Sequence, residues 1–325
     1  MSGIEIDTTY LIEQLKALLA IDSPTGFTDT VVRYCTEELE RLGLRPELTR
    51  RGAIRAVRQG SRRDGARSVV AHLDTLGAQV KLVKPNGRLD LVPIGNWSAR
   101  FAEGARANIY AEERYFRGGI LPLKASGHTY NDEIDTQPVG WTNLELRVDE
   151  RTTSYEETRA LGIDVGDIVA IDPQPEFLDS GFIVSRHLDD KAGAAITLAT
   201  IEALERTGAR TPVDIHFLFT IAEEVGTGAT AIVAPEVASM VTVDNRFYRS
   251  DSASAVEAGH DVRTALVAFG VDASHGYERV HEHALHSIAR LLTAYVTSPL
   301  EIQRDVEEIS DMEGFTEQPT ADRED

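Results

Sequence analysis

Apolar residues recur at helical spacing at Leu11, Ile12, Leu15, Leu18 and Leu19, behind Asp7 and Thr8, either of which can cap the segment. They predict a first helix that stops before Ser23-Pro24-Thr25-Gly26. A second helix is expected from about Asp29 to Leu42, with Gly43 as its stop. The pattern then shortens. Ser68-Val69-Val70-Ala71-His72 reads as a buried strand, and similar apolar runs follow at Val213 to Ala222, Met240 to Val243 and Thr264 to Phe269. An alanine-rich helix is expected from Ala192 to Arg206, ending at Gly208, and another from about Glu278 to Tyr295.

Strands alternating with helices predict an α/β fold, a mostly parallel sheet flanked by helices. The stretch from about 78 to 178 departs from that pattern. Turn sequences such as Pro-Asn-Gly, Arg-Gly-Gly and Val-Gly-Asp separate short alternating runs there, as in a small β-rich domain inserted into the first. The expected division is therefore 1–77 and 179–298 for the two parts of the α/β domain, 78–178 for a lid or oligomerisation insert, and 299–325 for an acidic tail. The last dozen residues of that tail are expected to be disordered.

The chain has 325 residues, enough for a substantial core, and a formal net charge of -20. That acidity argues against nucleic acid or anionic lipid as a partner, since both need a basic footprint. Cys35 is the single cysteine, so an internal disulfide and thiolate zinc sites are excluded, and its place on the apolar side of the second helix suits core filling. The first residues lack the features of a signal peptide and no apolar run reaches membrane-spanning length, so a cytoplasmic location is expected.

Against this background a set of acids and histidines stands out because each lies at the end of an apolar run or the start of a helix. His72 and Asp74 end the first strand, on one face of an extended segment. Asp189-Asp190-Lys191 opens the alanine-rich helix, Glu223-Glu224 follows Phe217-Leu218-Phe219-Thr220-Ile221, and Asp244 follows Val241-Thr242-Val243. Singly, each has an ordinary explanation, as a helix cap or a turn former. Carboxylates ending buried strands need partners, and the set together is the inventory of a two-metal hydrolase. Such a site needs imidazole and carboxylate ligands, one carboxylate able to bridge, and one to take a proton from water.

The segments Ala-His-Leu-Asp-Thr-Leu-Gly, Ser-Arg-His-Leu-Asp-Asp-Lys-Ala-Gly, Ala-Glu-Glu-Val-Gly and Val-Asp resemble, in order, those of the glutamyl and tetrahedral (TET) aminopeptidases, which are dinuclear metallopeptidases. The resemblance runs from about Ile12 to Tyr295 and looks closest to members encoded beside synthesis genes for the osmolyte N-acetylglutaminylglutamine amide. It implies a zinc-exopeptidase-like core, two divalent ions (zinc first, cobalt or manganese as alternatives), short peptides as substrates, and a dimer-based homo-oligomer as large as a dodecamer. Carried over by motif, His72 and Asp244 bind one ion, Glu224 the second, and Asp189 bridges both. Glu223 is the general base and Asp74 supports His72. The last ligand is His275, with His281 in reserve. His283 and His286 share a predicted helix with His281, while His128, His187, His216 and His260 have no comparable context.

The chain departs from the family pattern in two places. Asp244 and Asp251 are seven positions apart where the family carries a longer strand-and-helix excursion, and Glu278 stands one position closer to the histidine than the family's acid. Rival readings on the same core are an N-acyl amino acid or dipeptide deacylase, a carboxypeptidase, and a shortened non-catalytic paralogue.

Overall fold

A computed structural model describes residues 4–112, 114–244 and 250–300. The acidic tail from 301 onward, with its expected disorder, and most of the short segment after Asp244 lie outside the described residues.

Helix α1 (Thr8–Leu19) is capped as its sequence suggests: Asp7 Oδ1 accepts the Tyr10 N–H at 3.0 Å. Helix α2 (Asp29–Arg41) buries Val31, Val32, Cys35 and Leu39 and is followed by Gly43 at φ 88°. Strands β1 (Pro46–Leu48), β2 (Ile54–Arg58) and β3 (Arg62–His72) come next. The chain then forms β4 (Gly77–Val83), β5 (Leu89–Ile94), β6 (Arg106–Tyr110), β7 (Tyr115–Pro122), β8 (Leu144–Val148) and β9 (Ile168–Ile171). Short helices α3 (Ala99–Ala102), α4 (Gly127–Tyr130), α5 (Glu133–Thr136) and α6 (Tyr155–Ala160) lie between these strands. The remainder is β10 (Glu176–Phe177), β11 (Phe182–Ser185), α7 (Leu188–Thr207), β12 (Val213–Thr220), β13 (Val237–Val243), α8 (Asp251–Glu257), β14 (Arg263–Val267), β15 (Glu278–His281) and α9 (Glu282–Thr297).

The main sheet has the order β1-β2-β12-β3-β13-β14. Its four strands from β12 to β14 are mutually parallel, and β2 and β1 add an antiparallel edge. Alternation assigns its two faces. Val69 and Ala71 of β3 and Ile215, Phe217 and Phe219 of β12 pack with α1, α2, α7 and α9, whereas Val70 and Leu218 meet Ala229, Ile232 and Ala255 on the other side. Alanines along α7 let it lie buried over almost its whole length. The opposite edge is thin: β14 is largely exposed, including Leu266.

The six strands β4 to β9 close into a barrel of order β4-β5-β8-β7-β6-β9, filled by a core of its own that includes Leu89, Ile109, Ile120 and Leu146. The chain enters it through Gly77, where a Cβ would fall 2.8 Å from Pro24 Cβ, too close for any side chain. A third, small sheet of β10, β11 and β15 pairs Ser185 with Glu278.

One predicted element needs correcting. The expected helix from Glu278 to Tyr295 begins as strand β15, because Glu278 and Val280 point inward and pair with β11. His281 is the N-cap of α9: its Nδ1 accepts the His283 N–H at 3.1 Å.

Candidate metal centre

The strands β3, β12 and β13 end side by side, and so place His72, Glu223-Glu224 and Asp244 at one rim of the sheet. One ligand atom from each of His72, Glu223 and Asp244 lies within 4.8 Å of the others, and all three residues are buried. Asp189, at the start of α7, faces the same point. Its Oδ1 is 3.1 Å from His72 Nε2, and its Oδ2 is 3.5 Å from His275 Nε2. Glu223 Oε2 is 3.7 Å from His72 Nε2, and Glu224 Oε2 is 3.9 Å from His275 Nε2. All six residues from His72 to His275 that the sequence nominates for metal or base thus converge.

An extended chain would turn Glu223 and Glu224 to opposite faces, but β12 ends at Thr220 and the backbone bends, so both carboxylates face histidines of the cluster. Asp74 holds that bend. Its Oδ1 and Oδ2 accept the backbone N–H groups of Glu223 and Glu224, each at 3.1 Å, and Thr25 Oγ1 donates to Oδ2 at 2.7 Å. His72 Nδ1 lies 2.9 Å from the Asp74 carbonyl oxygen and 3.5 Å from its carboxylate, so the backbone is the nearer partner.

Both imidazoles are oriented in the same manner. His275 Nδ1 lies 3.1 Å from the carbonyl of Asn96, in the segment between β5 and α3. With each Nδ1–H donated to a carbonyl, each Nε2 faces the carboxylates and is the nitrogen left for metal ligation once its proton is displaced. His281, the reserve ligand, is turned elsewhere, with Nε2 at 3.1 Å from the Ser180 carbonyl. His187 takes a left-handed conformation before α7 and holds the Ile171 carbonyl at 3.0 Å, and burial pulls its imidazole down to about 4.

Electrostatics fit a cationic occupant. Burial pulls His72 down, yet hydrogen bonds to Asp189 and Asp74 outweigh it and hold the imidazole well above its usual value. Burial opposes ionisation of Asp189, but the two histidines keep its carboxyl below the usual range. Burial, with Asp244 and Asp189 close by, pushes Asp190 well up. Among the described residues Asp189 Oδ2 is buried with no hydrogen-bond partner of normal geometry. A pocket of hard oxygen donors and two imidazoles, too negative for its own burial, suits divalent cations. Reading the sequence alone missed four supports: Asn96, Thr25, Asp190, whose Oδ2 accepts the His72 N–H at 3.1 Å, and Lys191, whose Nζ donates to Ser23 Oγ at 2.6 Å. Only the last two carried a signal, their place in Leu-Asp-Asp-Lys. A cleft beside the centre is walled by Leu76, Trp97, Ile171 and Arg186.

Comparison with known proteins bears on what this arrangement is. The chain is 32% identical over 339 residues to the "Putative aminopeptidase YhfE" of Bacillus subtilis (strain 168), covering 89% of this chain and 98% of that one. Its fold matches the aminopeptidase APDkam598 of the archaeon Desulfurococcus kamchatkensis at a TM-score of 0.82, with 20% identity over 93% of this chain and 99% of the other. It also matches the TET1 peptidase of Pyrococcus horikoshii at 0.76, with 17% identity over 89% and 100%. The fold is shared with these structures, and the sequence relative defines a peptidase, a hydrolase of peptide bonds. Residues 52–248 match the model of the M42 glutamyl aminopeptidase family, and the chain belongs to that metal-dependent family.

Proposed function

We propose that the protein is a dinuclear metal-dependent aminopeptidase that releases N-terminal residues from short peptides. One observation carries this reading: the two oxygens of Asp189 face two imidazoles, each oriented through its Nδ1. A bridging carboxylate between two cation positions needs that arrangement. His72, Asp189 and Asp244 would hold one ion, and Asp189, Glu224 and His275 the other. Two bound ions would supply Lewis acidity toward the scissile carbonyl and the attacking water. The mixed donors suit zinc, with cobalt or manganese as substitutes.

Glu223 accepts the proton of the attacking water and returns it to the leaving amine as the C–N bond breaks. Asp74 fixes the backbone that carries Glu223. The apolar wall of Leu76, Trp97 and Ile171 takes the side chain of the substrate's first residue, and Arg186 adds a cationic edge. A second reading makes Glu223 a ligand, because it shares the 4.8 Å group with His72 and Asp244. The variant Glu223→Gln separates the two, since loss of a ligand lowers metal content and loss of a base does not.

The family match supports the aminopeptidase reaction over deacylation. A panel of free dipeptides and their N-acylated counterparts, including a glutaminylglutamine pair of the osmolyte type, tests it. Turnover of the free forms is expected, and turnover of only the acylated forms would replace the assignment. The P. horikoshii peptidase assembles into a tetrahedron or a large octahedral shell. A dimer-based homo-oligomer is proposed here, with sedimentation velocity as its test. Among the described residues no helix is long and apolar enough to cross a membrane; a cytoplasmic location is proposed, to be checked by cell fractionation. Elemental analysis after dialysis against zinc comes first. About two ions per chain support the two-ion site, and none in a folded protein would overturn it.

A further inference from the structure

Glu278 is buried to 1% exposure, yet among the described residues neither of its oxygens forms an ion pair with a charged side chain. Its Oε1 accepts the backbone N–H of His275 at 3.0 Å, and its Oε2 accepts the backbone N–H of Asp189 at 3.1 Å. One carboxylate therefore grips the main chain of two candidate ligands that lie on different elements.

Both ligands need such a grip. His275 sits in the left-handed region at φ 66°, at the tip of a loop closed by paired hydrogen bonds between Asp272 and Arg279. Asp189 has non-helical dihedrals inside the first turn of α7. Regular structure supplies neither N–H with an acceptor, and a buried N–H without one is costly. The scaffold places the carboxylate for this task, because β15 pairs with β11 in a register that sets Glu278 opposite Ser185, four residues before Asp189.

We propose that Glu278 is a positioning residue that fixes the separation of Asp189 and His275 and so sets the affinity of the ion held between them. The inference rests on the two-ion reading above. With both oxygens committed to N–H donors, Glu278 acts through the two ligands. Outer-shell partners of this kind change metal affinity by about 10- to 100-fold when altered. Glutamine in its place offers one acceptor oxygen and turns an NH2 toward the other N–H, which breaks the grip at constant size.

The test is a zinc titration of the full chain, stripped by chelation, against a competing chromophoric chelator, alongside thermal unfolding of the stripped protein. Wild type binding no zinc would defeat the two-ion reading whatever Glu278 does. With two ions in wild type, Glu278→Gln is expected to weaken one ion about 10- to 100-fold and leave the other within about threefold. Two unchanged constants, or equal losses at both, would overturn the proposal. In a His275→Ala background, Glu278→Gln should weaken the remaining ion by less than it weakens the His275 ion when His275 is present, and an equal loss there would also overturn it. Should the glutamine variant fail to fold, Glu278→Asp carries the test. A smaller loss at one ion alone supports the proposal, and wild-type constants contradict it.

Discussion

Asp74 and Glu223 stand 149 positions apart in sequence, and the carboxylate of the first accepts the backbone N–H of the second at 3.1 Å. The same carboxylate takes the next N–H as well, so the Glu223-Glu224 bend depends on Asp74 being an acceptor at both oxygens. Asp74→Asn turns one acceptor into a donor facing a buried N–H. Activity is expected to fall about 10- to 100-fold while zinc content stays close to that of wild type. Steady-state kinetics with elemental analysis checks this.

The Glu223→Gln variant should bind zinc as tightly as wild type and lose activity by about 10²- to 10⁴-fold in kcat, the range expected for removal of a general base. Single-turnover kinetics together with metal content reads both quantities. Retained turnover would remove Glu223 from the role of proton carrier.

Asp251 lies behind the centre, fully buried, with Thr220 Oγ1 donating to its Oδ2 at 2.5 Å. Burial raises its carboxyl from 3.8 to about 6. The folded chain therefore holds this proton more tightly than the unfolded chain. The resulting stability is full below pH 4 and is lost as pH rises toward and through 6. Asp251→Asn cannot ionise and escapes that loss. In the metal-free protein its stability relative to wild type is expected to increase by about 2 kcal/mol between pH 4 and pH 7. Urea denaturation at several pH values measures the difference, and a pH-independent gap would contradict it.

Phe217 lies at the centre of the sheet with no exposed surface, packed among residues of β3, α1 and α7. Phe217→Ala should cost about 3–5 kcal/mol through lost burial and the cavity left behind. A shift in denaturation midpoint at an unchanged slope would report it.

Much of this was legible beforehand because it is local. The apolar runs before His72, Glu223 and Asp244 mark strand ends, and a parallel sheet gathers strand ends at one rim. The supports were less legible because they are set by tertiary contact. Nothing near Asn96 in sequence shows that its carbonyl orients an imidazole 179 positions away. Glu278 read as the start of a helix because Leu285, Ala289 and Leu292 follow at helical spacing, whereas pairing with β11 decides its conformation. The turn of both glutamates toward the centre depends on hydrogen bonds to Asp74, which strand periodicity does not encode.

The barrel has a consequence for how the two halves of the centre find each other. His72 and Asp189 are 117 residues apart, with the barrel between them. Its first and last strands are neighbours, and Gly77 pairs with Ala170. Once closed, the barrel fastens its own entrance to its exit, and the chain left between the two ligands is about fivefold shorter as a polymer loop. By the logarithmic law for loop closure this removes about 1.4 kcal/mol of entropic cost from joining the strand that bears His72 to the helix that bears Asp189. Beyond walling the cleft and supplying the Asn96 carbonyl, the barrel is a clasp that lets an interrupted α/β domain close as though it were nearly continuous.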